Sequence, residues 1–338
     1  MAHPQRLLLL RITAAARPRY HGRMLTAPDT KPRVLDGVAI AAAIKAEVGL
    51  QVAALKESGH TPGLAVVLVG ENAASQLYVR SKVKTCAELG IYSEMHTPAA
   101  DVTTEELLEL VNSLNQRDEI DGILIQLPLP KHVDTELLLE AVVPEKDVDG
   151  FHPINAGRLL SGAPSEKVLA PCTPAGIMEM LQRSDIPVAG QRAVVIGRSN
   201  IVGKPIAAML INASATVTVC HSRTNNLAEI TKDADILVAA IGRAGFVTPE
   251  MVRPGATLVD VGINRVTDPA EFERFFANSE SRRESFAKRG STVVGDIDPA
   301  AFALSGAYTP VPGGVGALTI AMLMSNTVKA AKMRRKLD

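Results

Sequence analysis

AVVIGRSNIVGKPIAAML, residues 193–210, is the stretch on which the fold turns. Ala193 to Ile196 form a short apolar run that reads as a buried strand, Gly197 ends it, and Val202 to Leu210 resume with helical spacing. A glycine at a strand end lets the backbone turn sharply, and the free N–H groups and dipole of the next helix favour a phosphate there. Gly197 and Gly203 enclose five residues rather than four, and Pro205 replaces the Ser or Thr that would bind magnesium. That spacing argues against a kinase-type phosphate loop, and the stretch is not G-x-G-x-x-G either. An ordinary strand-to-helix turn is the competing reading.

Outward from this turn, Thr216 to Cys220 make a second apolar strand ending in His221-Ser222-Arg223, where a dinucleotide fold reads the adenosine ribose. No carboxylate stands there to bond a 2′-hydroxyl. Arg198, Ser222 and Arg223 supply donors and positive charge, which suits the 2′-phosphate of NADP, although Arg223 is also readable as a solvated turn residue. Two more runs, Ile236 to Ala240 and Thr257 to Val261, close on Gly242 and Gly262. Together they predict one parallel sheet whose ligand edge lies at the strand C-termini.

At 338 residues the chain holds two domains, and 46% apolar content supplies two cores. Net charge is zero, Trp is absent and aromatics are 3%, so neither a basic stripe nor stacking platforms for nucleic acid are expected. Cys86, Cys172 and Cys220 lack C-x-x-C spacing and the histidines lack metal spacing, which suits a reducing compartment and points to no metal. Residues 1–32 carry Arg6, Arg11, Arg17, Arg19 and Arg23 with no acid until Asp29. They read as a disordered leader or a transit segment, and the short run Leu7–Leu10 spans no membrane.

Upstream of the nucleotide turn, a helix is expected from Leu35 to about Leu55, a buried strand over 64–69 and a helix over 74–89. Tyr78 and Lys82 share a face of that helix, a pattern that also fits a snorkelling lysine beside a half-buried tyrosine. After a strand near 91–95 and a helix over 104–114 comes DGILIQLPLP, residues 121–130. There Gln126 ends the strand Ile123–Ile125 at the ligand-binding edge, or merely satisfies loop backbone. A helix over 135–141 leads to PEKDVDGFHPINAGRL, residues 144–159, where Asp147 and Asp149 bracket a turn closed by Gly150. A carboxylate there suits the edge of a guanidine-like heterocycle better than a calcium ion.

Residues 156–170 read as a linker, and Thr173 as the N-cap of a helix with Pro174 at its first position marks the domain boundary. Arg265 to Arg289, with five Arg, one Lys and matching acids, reads as a solvated excursion. Strand character returns over 292–295. The loop from Pro310 to Thr319 sets rigid prolines beside bare glycine backbone, suited to a flat ligand or to a plain helix entry. A closing helix runs from Leu318 to about Met333.

YVRSK (78–82), ILIQLPLP (123–130), PEKDVDGFHPINAGRL (144–159), PCTPAG (171–176), GRSNIVGKP (197–205), DVGIN (260–264), VVGDI (293–297) and TPVPGGVG (309–316) closely resemble the bifunctional methylenetetrahydrofolate dehydrogenase/methenyltetrahydrofolate cyclohydrolase family. The resemblance runs from about Leu35 to Ala331. It implies two α/β domains with a cleft between them, the second a Rossmann-like parallel-sheet NADP-binding domain. Residues 33–171, completed by the helix 317–336, would bind folate, and 172–309 would bind NADP. The implied activity is NADP-dependent oxidation of 5,10-methylenetetrahydrofolate and hydrolysis of the product to 10-formyltetrahydrofolate, in one-carbon metabolism and purine biosynthesis. A cytoplasmic homodimer acting on tetrahydrofolates is implied, with the mitochondrial matrix as the alternative if residues 1–32 are a transit segment; nucleic acid and membrane are not expected as partners.

The resemblance makes Lys82 the catalytic lysine, Gln126 its holder, Tyr78 the aromatic stacking on folate and Asp149 the ligand of the pterin edge. Leu127 and Pro312, Gly313, Gly314 and Val315 would line the folate side. Gly197, Arg198 and Ser199 would cradle the cofactor phosphates, Ser222 the 2′-phosphate, and Ile263 and Thr173 would touch the cofactor. Two departures stand out: Ala317 replaces a proline usual in the family, which predicts a looser loop, and the interval 265–290 is longer than typical.

Overall fold

The computed structural model describes residues 31–277 and 279–337, so residues 1–30 of the expected leader lie outside the described residues. From the N-terminus, β1 (Arg33–Val34) precedes α1 (Gly37–Glu57), β2 (Gly63–Val67), α2 (Ala73–Leu89), β3 (Tyr92–His96) and α3 (Thr104–Gln116). Then come β4 (Gly122–Ile125), α4 (Thr135–Ala141), α5 (Pro153–Leu160), α6 (Cys172–Arg183), β5 (Arg192–Ile196), α7 (Gly203–Asn212) and β6 (Thr216–Cys220). α8 (Leu227–Thr231), β7 (Ile236–Ala239), β8 (Thr257–Asp260), β9 (Asn264–Val266), α9 (Pro269–Phe276), α10 (Glu280–Arg289), β10 (Thr292–Val294), β11 (Ala307–Tyr308) and α11 (Val315–Arg335) complete the order.

The first lobe is a parallel sheet in the order β3-β2-β4. Every residue of β2 and β4 is buried because helices cover both faces, and alternate side chains feed two cores. Leu64 and Val66 pack with α1 and α11, while Ala65 and Val67 pack with Leu107, Val111 and Leu138 of α3 and α4. Asp36 starts α1 by accepting the N–H groups of Val38 and Ala39, and Thr103 with Glu106 closes a capping box on α3. α1 is apolar and long enough to cross a membrane, but its stripe Ala41, Ile44, Val48, Val52 and Leu55 is buried in the first core with Leu318, Ala321 and Leu323 of α11.

The second lobe is a sheet in the order β1-β11-β8-β7-β5-β6, parallel throughout, as the apolar runs around residues 193–261 predict. Arg33 and Val34, assigned to the first domain from sequence, instead extend this second sheet through β11. The chain therefore crosses between lobes more than once. α6 knits them together: Cys172, Ala175 and Met180 join the first core, and Ile177 and Leu181 join the second.

Three expectations change. The stretch 156–170 is no linker, because α5 occupies its first part and a short 3-10 turn, Ser165–Lys167, its last. Thr173 is not an N-cap: α6 begins at Cys172 with Pro171 as cap, and Pro174 sits inside the first turn, where its missing N–H costs nothing. The interval 265–289 is not merely a solvated excursion. β9 pairs antiparallel with β10, and between them Phe272, Phe275 and Phe276 bury against Val266, Val294 and Phe286, forming a small core of their own. The rings of Phe272 and Phe286 stack at 4.5 Å between centroids.

Candidate active site

Tyr78 and Lys82 lie one turn apart on α2, and the structure places the lysine ammonium 4.6 Å from the tyrosine ring centroid. Lys82 is only 4% exposed. Its Nζ donates to Oε1 of Gln126 at 3.0 Å. Gln126 is oriented in turn, since its Nε2 donates to the carbonyl of Leu127 at 2.7 Å, which turns the amide oxygen toward the lysine. Burial pulls the Lys82 amine below its ordinary value, opposed by the charge of Asp149.

Asp149 reaches this site through a rigid turn. Asp147 accepts the N–H groups of Phe151 and His152 and the amide of Asn155. Gly150 has φ 74°, and a Cβ there would lie 2.4 Å from the backbone of Ala170 and Pro171, so no other residue fits. Asn326 of α11 donates to the carbonyls of Val148 and Ala170, each at 2.8 Å, fixing both sides of the turn. Burial pushes the Asp149 carboxyl up to about 6, with Lys82 opposing.

A cavity of about 340 Å³ adjoins this cluster through Tyr78. Its walls come from both lobes: Tyr78 and Thr173 on one side, Asp260 to Ile263 after β8 on another, and Pro310 to Ala317 on a third. Pro312, Gly313, Gly314, Val315, Ile263 and Thr173 all line it; Lys82, Gln126, Leu127 and Asp149 stand beside it rather than on its wall. The Thr173 hydroxyl, free of capping duty, pairs with that of Thr319 at 3.0 Å. Ala317 donates its N–H to the carbonyl of Gly314 at 3.2 Å, a bond that a proline there could not make.

A second cavity, about 570 Å³, opens at the C-terminal ends of β5, β6 and β7 and is lined by Gly197, Arg198, His221, Ser222, Ile241 and Arg243 among others. Gly197 has φ 122°, and a Cβ on it would lie 2.3 Å from the carbonyl of Ala240, while one on Gly203 would meet the carbonyl of Gly197 at 2.3 Å. That bare backbone with two arginines and a serine fits a phosphorylated dinucleotide. Ser199 does not line this cavity; its Oγ accepts the N–H groups of Val202 and Gly203 at the start of α7.

Sequence reasoning missed the acids beneath this edge. Asp296 accepts from the N–H groups of Ile241, Gly242 and Arg243 and from the Asn264 amide. Asp260 accepts from Gly262, Asp296 and Ile297, and burial pushes it up to about 7. Between them the two carboxylates gather the turns after β7 and β8. In the sequence they stand in the motifs DVGIN and VVGDI beside Gly262 and Gly295, where any Cβ would strike a carboxylate.

Comparison with known proteins agrees with this geometry. Residues 35–149 match the catalytic domain of tetrahydrofolate dehydrogenase/cyclohydrolase, and residues 171–335 match its NAD(P)-binding domain. The bifunctional protein FolD of Koribacter versatilis is 63% identical over 302 residues, 89% of this chain and 97% of that protein. FolD of Solibacter usitatus is 57% identical over 304 residues, 90% of this chain and 98% of its own length. Among solved structures, the FolD enzyme of Campylobacter jejuni superposes with a TM-score of 0.80 at 47% identity, covering 89% of this chain and 99% of that one. The Trypanosoma brucei dehydrogenase-cyclohydrolase, complexed with NADP and an inhibitor, gives 0.81 at 37% identity, with 91% and 99% covered. Matched in both lobes and along nearly the whole length of these relatives, the chain belongs to the tetrahydrofolate dehydrogenase/cyclohydrolase family.

Proposed function

We infer that the chain is a bifunctional enzyme of one-carbon metabolism that oxidises 5,10-methylenetetrahydrofolate with NADP and hydrolyses the 5,10-methenyl product to 10-formyltetrahydrofolate. The observation that carries this reading is a buried lysine amine on a fixed carboxamide, next to a cavity shared by both lobes.

When bound, NADP supplies the acceptor for the hydride. Removing that hydride leaves a resonance-stabilised methenyl cation and loses no proton, so the oxidative half needs alignment rather than a base. Ile263 and the loop Pro312–Val315 provide the wall for that alignment, with Tyr78 opposite as a stacking surface. Arg198 and Ser222 would hold the 2′-phosphate, Gly197 would let the phosphates approach the backbone, and Ser199 keeps the turn in shape. Thr173, at the cavity between lobes, would border the cofactor.

Hydrolysis needs protons moved, first from the attacking water and then onto the departing ring nitrogen. Lys82 does both: its burial lowers the cost of the neutral amine, and Gln126 keeps Nζ aimed. Asp149, ionised, accepts the N–H groups of the pterin edge, and the backbone of Leu127 borders the same end.

Residues 33–171 with α11 form the folate side and residues 172–309 the NADP side, apart from β1, which joins the second sheet. A homodimer is part of this reading, and a cytoplasmic location is supported by the bacterial FolD relatives. The test is direct. Purified protein given methylenetetrahydrofolate should reduce NADP and not NAD at comparable rates, followed by decay of methenyl absorbance; no cofactor reduction with this substrate would defeat the reading.

A further inference from the structure

The loop Pro310–Val315 is a thin wall with space on both sides. In front is the cavity between the lobes; behind lies a smaller one, about 180 Å³, whose lining includes Pro310, Val311, Phe276 and Arg282. Arg282 belongs to α10, inside the interval 265–289 that the function so far leaves idle. Its guanidinium crosses the rear cavity and donates through Nη2 to the carbonyl of Val311. The other end is anchored: Nη1 donates to Thr292 Oγ1 at 3.1 Å and to the Val293 carbonyl at 3.2 Å, both on β10. The plane also rests on the Phe276 ring, 4.7 Å from its centroid, and that ring belongs to the small core of α9 and α10.

A charged donor bonded to a backbone carbonyl is among the stronger hydrogen bonds, and a planar guanidinium holding several acceptors at once fixes their relative positions. We propose that the segment 265–289 is a brace for the substrate wall and that Arg282 is a positioning residue, holding Val311 so that Pro312, Gly313 and Gly314 keep the spacing a folate ring requires. This rests on the folate reading given above. Arg282 itself touches neither substrate nor cofactor, and the NADP cavity at β5 to β7 shares no lining residue with the braced loop. The brace therefore bears mainly on folate; of NADP it adjoins only the end that reaches the shared cavity at Ile263 and Thr173.

The test compares wild type with R282M, which keeps length and packing on Phe276 but removes every donor, and R282K, which keeps the charge and one donor. Calorimetric affinity for tetrahydrofolate and for NADP, the KM and kcat of methenyltetrahydrofolate hydrolysis, and the melting temperature are measured on all three. R282M should bind tetrahydrofolate about tenfold more weakly and raise the hydrolytic KM similarly, with kcat and NADP affinity each within about twofold and partial recovery in R282K. Unchanged folate affinity in R282M, with an active wild type, overturns the brace alone. A parallel loss of folate and NADP affinity with lower melting temperature, unrelieved in R282K, overturns it too, because the residue is then only structural. A wild type that neither binds tetrahydrofolate nor hydrolyses methenyltetrahydrofolate overturns the folate reading and the brace with it.

Discussion

Lys82 and Asp149 have opposite demands on protons, and pH separates them. The lysine is a base only when neutral, and burial lowers its proton affinity from the ordinary 10.5. Hydrolysis of methenyltetrahydrofolate should therefore rise with pH through an inflection below that value, and the inflection should be missing from the hydride-transfer step, where no base acts. Stopped-flow measurement of the two steps separates their pH profiles. Asp149 titrates at about 6 in the folded protein against 3.8 when unperturbed. Its proton thus stabilises the free fold most at low pH, and that contribution is lost as pH rises through about 6. If the pterin edge binds the ionised form, as proposed, folate affinity should fall below about pH 6 in the wild type. In D149N affinity should be low and flat with pH, a difference that titration calorimetry at several pH values detects.

At the scale of elements, α11 is the pin of the first lobe. Leu318, Ala321, Met324 and Val328 bury one long stripe of it, and Asn326 spends its amide on Val148 and Ala170. N326L removes the amide donor from both carbonyls, leaving Val148 only the weak Cys172 thiol, at about 1–3 kcal/mol of stability. Chemical denaturation should show that loss, with the folate side weakened more than NADP binding because the turn carrying Asp149 loosens. The strands were legible because parallel strands covered on both faces read as continuous apolar runs, as β5 and β7 do. α9 and α10 were not, since Phe272, Phe276 and Phe286 are scattered among Arg and Glu, and only the tertiary fold shows that they meet. The start of α6 misled for a local reason: Pro174 after Thr173 imitates a capped first turn.

Across the whole molecule, Tyr78 and Lys82 could be placed on one helical face from spacing alone, but the lysine's partner lies 44 residues away, just past the end of β4. The pairing with Gln126 became visible only as a family resemblance; Asp260 and Asp296 stand inside two of the resembling motifs, but their role did not show, because buried carboxylates that accept backbone N–H groups leave no periodic signature. The lobes share α6, α11 and the β1–β11 pairing, so the cavity between them is held from several directions. Two chemistries then use one groove: alignment for hydride transfer and a movable proton for hydrolysis. K82M separates them most directly, in a single assay of cofactor reduction followed by methenyl decay, with NADP affinity measured on the same protein. The expected result is loss of methenyl hydrolysis to the uncatalysed rate with NADP affinity within about twofold of wild type; hydrolysis at the wild-type rate in K82M would contradict the role assigned to the buried amine.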